Sequence, residues 1–157
     1  MTVRIKILAA LAALLGLSAL PATAENLIAD PIAEEKISVG ARCKAASFAE
    51  DFAVHVDFNN DGLEDVITNL GAVSCDGKPA GLCRDVGCPH NFYIQVSEGG
   101  YFFAANADLY GYDLATRYGN RVLELKADAV SCGREGPDYC IMTIRVRGAR
   151  FETISKK

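Results

Sequence analysis

The chain has 157 residues, of which 16 are basic and 20 are acidic, and its formal net charge is −4. That length is enough for one domain with a real hydrophobic core. The acidic balance argues against a nucleic-acid partner and against an anionic membrane surface, because both would repel the protein.

The N-terminal segment predicts export. Arg4 and Lys6 give a positive start, an apolar run follows, and residues 22–24 (Ala-Thr-Ala) supply the small side chains of a cleavage site. We expect residues 1–24 to be a signal peptide and residues 25–157 to be a single disulfide-stabilised, β-rich domain, periplasmic or secreted. The apolar run is short for a membrane span, so no membrane insertion is expected after cleavage. Without the segment, 14 basic and 20 acidic residues remain, and the net charge becomes −6.

The first element of the mature chain is predicted to be a helix over about Pro31 to Ala45. Asp30 is a helix-capping residue, and proline is favoured at the first helical position. Glu34 and Glu35 place negative charge in the first turn, where the helix dipole favours it. We expect this helix to pack on the sheet that follows.

Side-chain oxygens then recur at a spacing that suits a hard cation. The candidate ligands occupy alternate positions of one short loop: Asp57, Asn59, Asp61, the carbonyl of Leu63, and Asp65. Gly62 permits a sharp bend between them, and Ca2+ takes six to eight oxygen ligands in flexible geometry. Apolar alternation over residues 52–58 and the β-branched residues after Asp65 predict that the loop joins two strands. A plain Asp-Gly hairpin turn is the alternative, but a turn alone does not require Asp57, Asn59 and Asp65.

The pattern D-x-N-x-D-G-x-x-D resembles the calcium loops of FG-GAP and VCBS-type repeats, the integrin α-propeller type. The resemblance covers only residues 57–65, and no second copy occurs in the chain, so it implies a calcium loop rather than a propeller. An EF-hand is not indicated, because its helical flanks are missing and Thr68 stands where its last glutamate would be. With its export signal and cysteines the chain also looks like small exported bacterial proteins, a resemblance that brings no activity with it.

The six cysteines all lie in the predicted mature chain: Cys43, Cys75, Cys83, Cys88, Cys132 and Cys140. An even number in an oxidising compartment predicts three disulfides, for which fifteen pairings exist. Cys132 and Cys140 flank one loop between two predicted strands, so we pair them. For the others we predict Cys75–Cys88 across a hairpin neck and Cys43–Cys83 to the helix. A zinc site with His90 is the alternative, which the compartment disfavours.

The rest of the chain is predicted to consist mainly of strands. Residues 71–90 are predicted to be a stapled loop, and alternating apolar residues predict strands near 92–96, 101–105, 109–117, 123–127, 142–146 and 150–154. The fold class is therefore α+β but mostly β, with the N-terminal helix packed on a curled antiparallel meander sheet that disulfides staple.

These features favour a non-enzymatic exported module whose loop binds Ca2+ for structure or for ligand recognition. Its partner is a protein or a glycan, and a tyrosine-rich face (Tyr93, Tyr101, Tyr110, Tyr112 and Tyr118) could supply the contact. The alternative is an inhibitor of a basic exported hydrolase such as lysozyme, for which the net charge of −6 is suited. A third possibility is a hydrolase that uses the loop carboxylates, although the ion would occupy their oxygens.

Overall fold

The computed structural model describes residues 27–136 and 138–157, and the predicted signal peptide and its cleavage site lie outside the described residues. Within these ranges one α-helix, α1, spans Pro31–Gly40. The strands are β1 Ala46–Phe48, β2 Ala53–Val56, β3 Asp65–Asn69, β4 Val73–Cys75, β5 Lys78–Pro79, β6 Cys88–Gln95, β7 Tyr101–Leu109, β8 Gly111–Arg117, β9 Asn120–Asp128, β10 Tyr139–Arg147 and β11 Arg150–Lys156. In the same ranges no helix has the length and apolar character needed to cross a membrane.

The strands form two four-stranded antiparallel sheets and one small sheet. The first sheet has the order β2-β3-β6-β7, and the second has the order β11-β10-β9-β8. The small sheet has the order β1-β4-β5. Its strands β4 and β5 lie between β3 and β6 in the chain. The predicted mostly-β class with one helix is thus confirmed.

A single curled meander is not what forms. β7 pairs with β6 and β8 pairs with β9, while only Tyr110 separates β7 from β8 in the chain. Gly111, the first residue of β8, has φ +155°, a backbone conformation that residues with a Cβ rarely adopt. The chain therefore changes direction at this glycine and starts a second sheet instead of extending the first.

The main core lies between the two large sheets. Alternate residues of each strand point into it, as the period of two requires. Its buried members are Phe58, Ile67, Phe92, Ile94, Leu109, Leu123, Leu125, Ala127, Cys140, Ile144 and Val146. Each large apolar side chain that is fully buried here stabilises the fold by about 1.5–3 kcal/mol.

Helix α1 begins where predicted and ends earlier. The Asp30 carboxylate accepts a hydrogen bond from the backbone N–H of Ala33 at 3.0 Å, which is the predicted N-cap. The helix ends at Gly40 rather than near Ala45, because glycine has a low helix propensity. Val39 packs with Phe52 and Val73 in a second, smaller cluster under the small sheet.

One carboxylate of α1, that of Glu35, contacts the outer face of the first sheet. Glu35 accepts hydrogen bonds from the Tyr93 hydroxyl at 2.6 Å and from the Asn91 amide. Tyr93 is consequently buried, and burial followed by the hydrogen bond to Glu35 raises the pKa of its hydroxyl. The five tyrosines therefore do not share one exposed face, although Tyr118 is fully exposed on the β8–β9 turn.

The disulfides are Cys43–Cys75, Cys83–Cys88 and Cys132–Cys140. The third pair was predicted correctly, whereas the predictions Cys75–Cys88 and Cys43–Cys83 are wrong. Pairing of β1 with β4 puts Ala46 opposite Cys75, which brings the nearby Cys43 to it. Cys83 and Cys88 flank a tight turn.

In that turn Arg84 and Gly87 exchange two backbone hydrogen bonds of 2.8 and 3.0 Å, which bring the flanking cysteines side by side. Residues 71–90, predicted to be a loop, therefore contain β4, β5 and the start of β6.

Candidate functional site

The predicted metal loop joins β2 to β3, as the sequence indicated. We define it as the calcium-type loop, residues 57–64, followed by Asp65 at the start of β3. Val56 pairs with Asp65 in the antiparallel ladder, so the two ends of the loop are adjacent. Phe58 anchors the loop in the main core, with its ring edge-on to Phe92 at a centroid distance of 6.0 Å.

The Asp57 carboxylate organises the loop backbone. Its Oδ1 accepts hydrogen bonds from the N–H groups of Asn60 at 2.7 Å and Asp61 at 3.2 Å, and its Oδ2 accepts one from Gly62 at 3.0 Å. Three successive N–H groups thus converge on one side chain. A carboxylate has about four lone-pair sites, so this side chain keeps some capacity for a further partner.

Asn59 and Asp61 lie against each other in the same loop. The Asn59 Oδ1 accepts from the N–H of Asp61 at 3.0 Å, and its Nδ2 donates to the Asp61 Oδ2 at 2.8 Å. The Asp61 Oδ1 also accepts from the N–H of Leu63 at 2.9 Å. The loop is therefore a run of side-chain-to-backbone turns that holds its polar side chains at fixed positions.

Asp65 has a different environment, because it is completely buried. Its Oδ2 accepts from the N–H of Phe58 and its Oδ1 from the N–H of Gln95, both at 3.1 Å. It therefore ties the loop to β6. Burial raises the pKa of Asp65 to about 6, the charge of Asp61 adds to the rise, and the backbone donors oppose it.

Two residues that the sequence reasoning did not select, Asn60 and Arg121, hold the loop to the second sheet. The Asn60 side chain exchanges hydrogen bonds with the backbone of Arg121, at 2.7 Å to its N–H and 3.1 Å to its carbonyl. The Arg121 guanidinium donates to the Asp57 carbonyl at 2.8 Å. Asn60 has φ +64°, a backbone conformation that asparagine tolerates better than most residues. The Asn-Asp-Gly run in the sequence is typical of such a turn.

The predicted ligands are partly brought together. Asp57, Asn59 and Asp61 share one hydrogen-bonded loop, whereas Asp65 is buried beneath it with both oxygens bonded to the N–H groups of Phe58 and Gln95. Across residues 27–136 and 138–157, no group of three or more His, Cys, Asp or Glu side chains could hold a metal ion. Any ion at the loop would therefore need the Asn59 amide and backbone carbonyls beside the carboxylates.

Two cavities open at opposite ends of β6. The first, of about 590 Å³, adjoins the loop and is lined by Asn59, Asp61 and Leu63 together with residues at the end of β6 and the β10–β11 turn. The second, of about 540 Å³, includes Cys88 and His90 at the other end of the strand. We call them the loop cavity and the acceptor cavity.

Comparisons with known proteins found no matching family model, no matching curated protein and no matching solved structure. A fold by itself does not define an activity, so the chemistry of the side chains and their surroundings has to indicate the function.

Proposed function

We propose that this protein is an exported, non-enzymatic module, periplasmic or secreted, whose calcium-type loop binds Ca2+. The observation that carries the proposal is the convergence of three loop N–H groups on the Asp57 carboxylate, beside the paired side chains of Asn59 and Asp61. The resemblance of residues 57–65 to FG-GAP and VCBS-type calcium loops supports it. The three disulfides support an oxidising compartment.

The residues that would hold the ion are the side chains of Asp57, Asn59 and Asp61 and the carbonyl of Leu63, whereas Asp65, at the ninth position, would act only through its charge because its oxygens accept backbone N–H groups. When bound, Ca2+ supplies positive charge that offsets the repulsion between these carboxylates. Asp65 contributes its charge from the buried side of the loop, where Asp61 already opposes its ionisation. The remaining oxygens of the ion's shell would come from water or from a ligand.

The loop cavity supports a role in ligand recognition besides a structural one. Asn59, Asp61 and Leu63 line it, and Gln95 and Glu98 face the same space. An ion held by the loop would therefore lie at the wall of a cavity of about 590 Å³. A protein or glycan that offers oxygen atoms could complete the ion's coordination there.

Thermal melting of the mature protein in EDTA and in 10 mM Ca2+, with 10 mM Mg2+ as the ion control, tests the proposal. A dissociation constant of about 10⁻⁴–10⁻³ M, usual for extracellular modules, gives a stabilisation of about 1.4–2.7 kcal/mol at that concentration. The expected rise in Tm is about 5 °C or more. Asp61→Asn keeps an acceptor for the N–H of Leu63 but should lose most of the rise.

Glu152→Gln, an exposed change on β11, is the matched control and should keep the whole rise. If the wild type shows neither a Ca2+-dependent rise nor bound calcium by elemental analysis, the proposal is overturned.

A second candidate, inhibition of a basic exported hydrolase such as lysozyme, is favoured by the net charge of −6 and by the two carboxylates, Asp51 and Asp113, that line the acceptor cavity. A pull-down against basic hydrolases at low and high salt tests it, and the absence of salt-sensitive binding would count against it.

A further inference from the structure

The acceptor cavity is assembled from segments that are distant in the sequence. Its polar and aromatic lining consists of Asp51, Asn69, His90, Tyr110, Tyr112 and Asp113. They come from the turn before β2, the end of β3, β6, the β7–β8 junction and β8. A cavity of about 540 Å³ has the size that small organic ligands occupy, and far more than a single metal ion needs.

His90 brings an unused hydrogen-bond acceptor to this cavity. The side chain is only 2% exposed, and its Nδ1 lies 2.9 Å from the Cys88 carbonyl oxygen. Because a carbonyl can only accept, Nδ1 carries the proton and Nε2 is left with a lone pair. Among the described residues, Nε2 makes no hydrogen bond, and it is not fully enclosed, since the enclosed side-chain atoms without a partner are Thr68 Oγ1 and Arg145 Nε. Burial lowers the pKa of His90, which keeps the ring neutral and Nε2 an acceptor.

Several other polar groups of the lining are acceptors or donors already in use, while the Tyr112 hydroxyl makes no hydrogen bond within the described residues. The Asn69 amide donates to Asp51 at 3.5 Å and accepts from the N–H of Gly71 at 2.9 Å. The Tyr110 hydroxyl donates to the carbonyl of Asp85 at 2.7 Å. Within residues 27–136 and 138–157, no lysine or arginine lines the cavity, so the charge of Asp51 has no basic neighbour in its described lining. A ligand that brings donors and positive charge therefore complements this lining.

The aromatic wall adds a second attraction for a cation. Tyr112 stands edge-on to His90 with ring centroids 5.7 Å apart, and Tyr110 is 45% exposed beside it. Burial and the nearby charge of Asp51 together raise the pKa of Tyr112, which agrees with a carboxylate close to this ring. Tyrosine faces attract ammonium and guanidinium groups, most strongly where water is partly excluded.

From these contacts we infer that the acceptor cavity binds an organic cation that carries a guanidinium or ammonium group. A guanidinium fits best, because it is planar, stacks on aromatic rings and offers five donors in a fixed fork. Asp51 accepts from one side of the fork, His90 Nε2 accepts from another N–H, and a tyrosine ring covers the plane. The cation is either a free small molecule or an arginine or lysine side chain of a partner protein.

The test uses the mature protein in EDTA, so that calcium plays no part. Agmatine, putrescine and an arginine-containing basic peptide are titrated by calorimetry at low and high salt. Nitrogen NMR of the histidine side chain follows His90 Nε2, whose resonance should move when the lone pair accepts a hydrogen bond. Asp51→Asn removes the charge at an exposed position and should weaken binding at least tenfold. Glu152→Gln, which lies outside the cavity, should leave the affinity unchanged.

Each outcome has a defined meaning. Binding of agmatine that weakens in Asp51→Asn and moves the Nε2 resonance supports a free small cation. Binding of the peptide alone, with the same sensitivity, supports a basic side chain of a partner. No binding of any probe, or equal binding to wild type and Asp51→Asn, overturns the inference. None of these results depends on the calcium-type loop, so the inference and the proposed function fail separately.

Discussion

The carboxylates at the two ends of β6 differ in how many hydrogen bonds they accept from the protein. At the calcium-type loop, Asp57 and Asp65 together accept five backbone N–H bonds from within the protein. At the acceptor cavity, Asp51 receives only one long bond of 3.5 Å from Asn69, and His90 Nε2 has no partner among the described residues. The first end uses most of the acceptor capacity of these two carboxylates to fix the loop backbone, and the second leaves Asp51 and Nε2 open to a group that comes from outside.

This contrast predicts different consequences when an acceptor is removed. At the loop end the fold itself should suffer, because buried N–H groups lose their partners. At the cavity end, exposed Asp51 should be dispensable for folding but needed for binding. Loss of a carboxylate should therefore cost the most stability at the loop end, and at the cavity end it should cost binding with little loss of stability.

Asp65→Ala should produce the largest effect on stability. It leaves the N–H groups of Phe58 and Gln95 without an acceptor at a completely buried position. Each unsatisfied buried donor costs about 1–3 kcal/mol, so the free energy of unfolding should fall by about 2–5 kcal/mol. Urea unfolding of the mature protein without calcium measures it. Asp51→Ala, the corresponding change at the cavity end, should cost less than about 1 kcal/mol, and equal losses would contradict the contrast.

The next largest effect is expected from the removal of one disulfide, which should affect the acceptor cavity but not the calcium-type loop. Cys83–Cys88 joins residues that are five positions apart in the sequence, and Cys88 lines the acceptor cavity. The chain-entropy model gives a loss of about 2 kcal/mol for the double change Cys83→Ser and Cys88→Ser. We expect cation binding at the cavity to weaken while the Ca2+-dependent rise in Tm is kept, because the calcium-type loop contains no cysteine. Loss of the calcium response together with cation binding would show that the two ends are coupled.

Local patterns predicted the elements of this fold well. Residues such as Phe92 and Ile94 alternate with polar neighbours, and a period of two directly states which face of a strand is buried. The position of α1 followed from Asp30 and Pro31 for the same reason, since capping depends on adjacent residues.

The pairing of strands and of cysteines was not predictable in the same way. The separation into two sheets depends on the backbone at Gly111, and a sequence gives no φ angle. Cys43 meets Cys75 only because β1 pairs with β4, a contact across 32 residues that hydrophobic alternation does not encode.

The two candidate sites also differ in how far the sequence predicted them. The loop was visible because its polar residues lie within nine consecutive positions, although the burial of Asp65 was not. The acceptor cavity was not visible, because Asp51, His90 and Tyr112 meet only after both sheets have formed.

The smallest expected effect is the contribution of His90 to the pH dependence of stability. Asp65 contributes with the opposite sign, because its raised pKa of about 6 adds stability as the pH falls through that value. Burial lowers the pKa of His90 in the folded protein below its ordinary value of 6.5, although the charges of Asp51 and Asp108 oppose the change. Above pH 6.5 the ring is neutral in both states, and its contribution to stability is complete. As the pH falls below 6.5, the unfolded chain binds the proton first, so the free energy of unfolding should decrease. His90→Gln should remove this part of the slope.

Urea midpoints between pH 5 and pH 8 measure the slope. His55→Gln, the same change at an exposed position of β2, is the matched control. A saturating organic cation in the acceptor cavity should steepen the slope, since protonation of Nε2 would remove the acceptor that the ligand uses. A slope that is the same in the wild type and in His90→Gln, and that ignores the cation, would mean that Nε2 is not the group that distinguishes this end of β6 from the other.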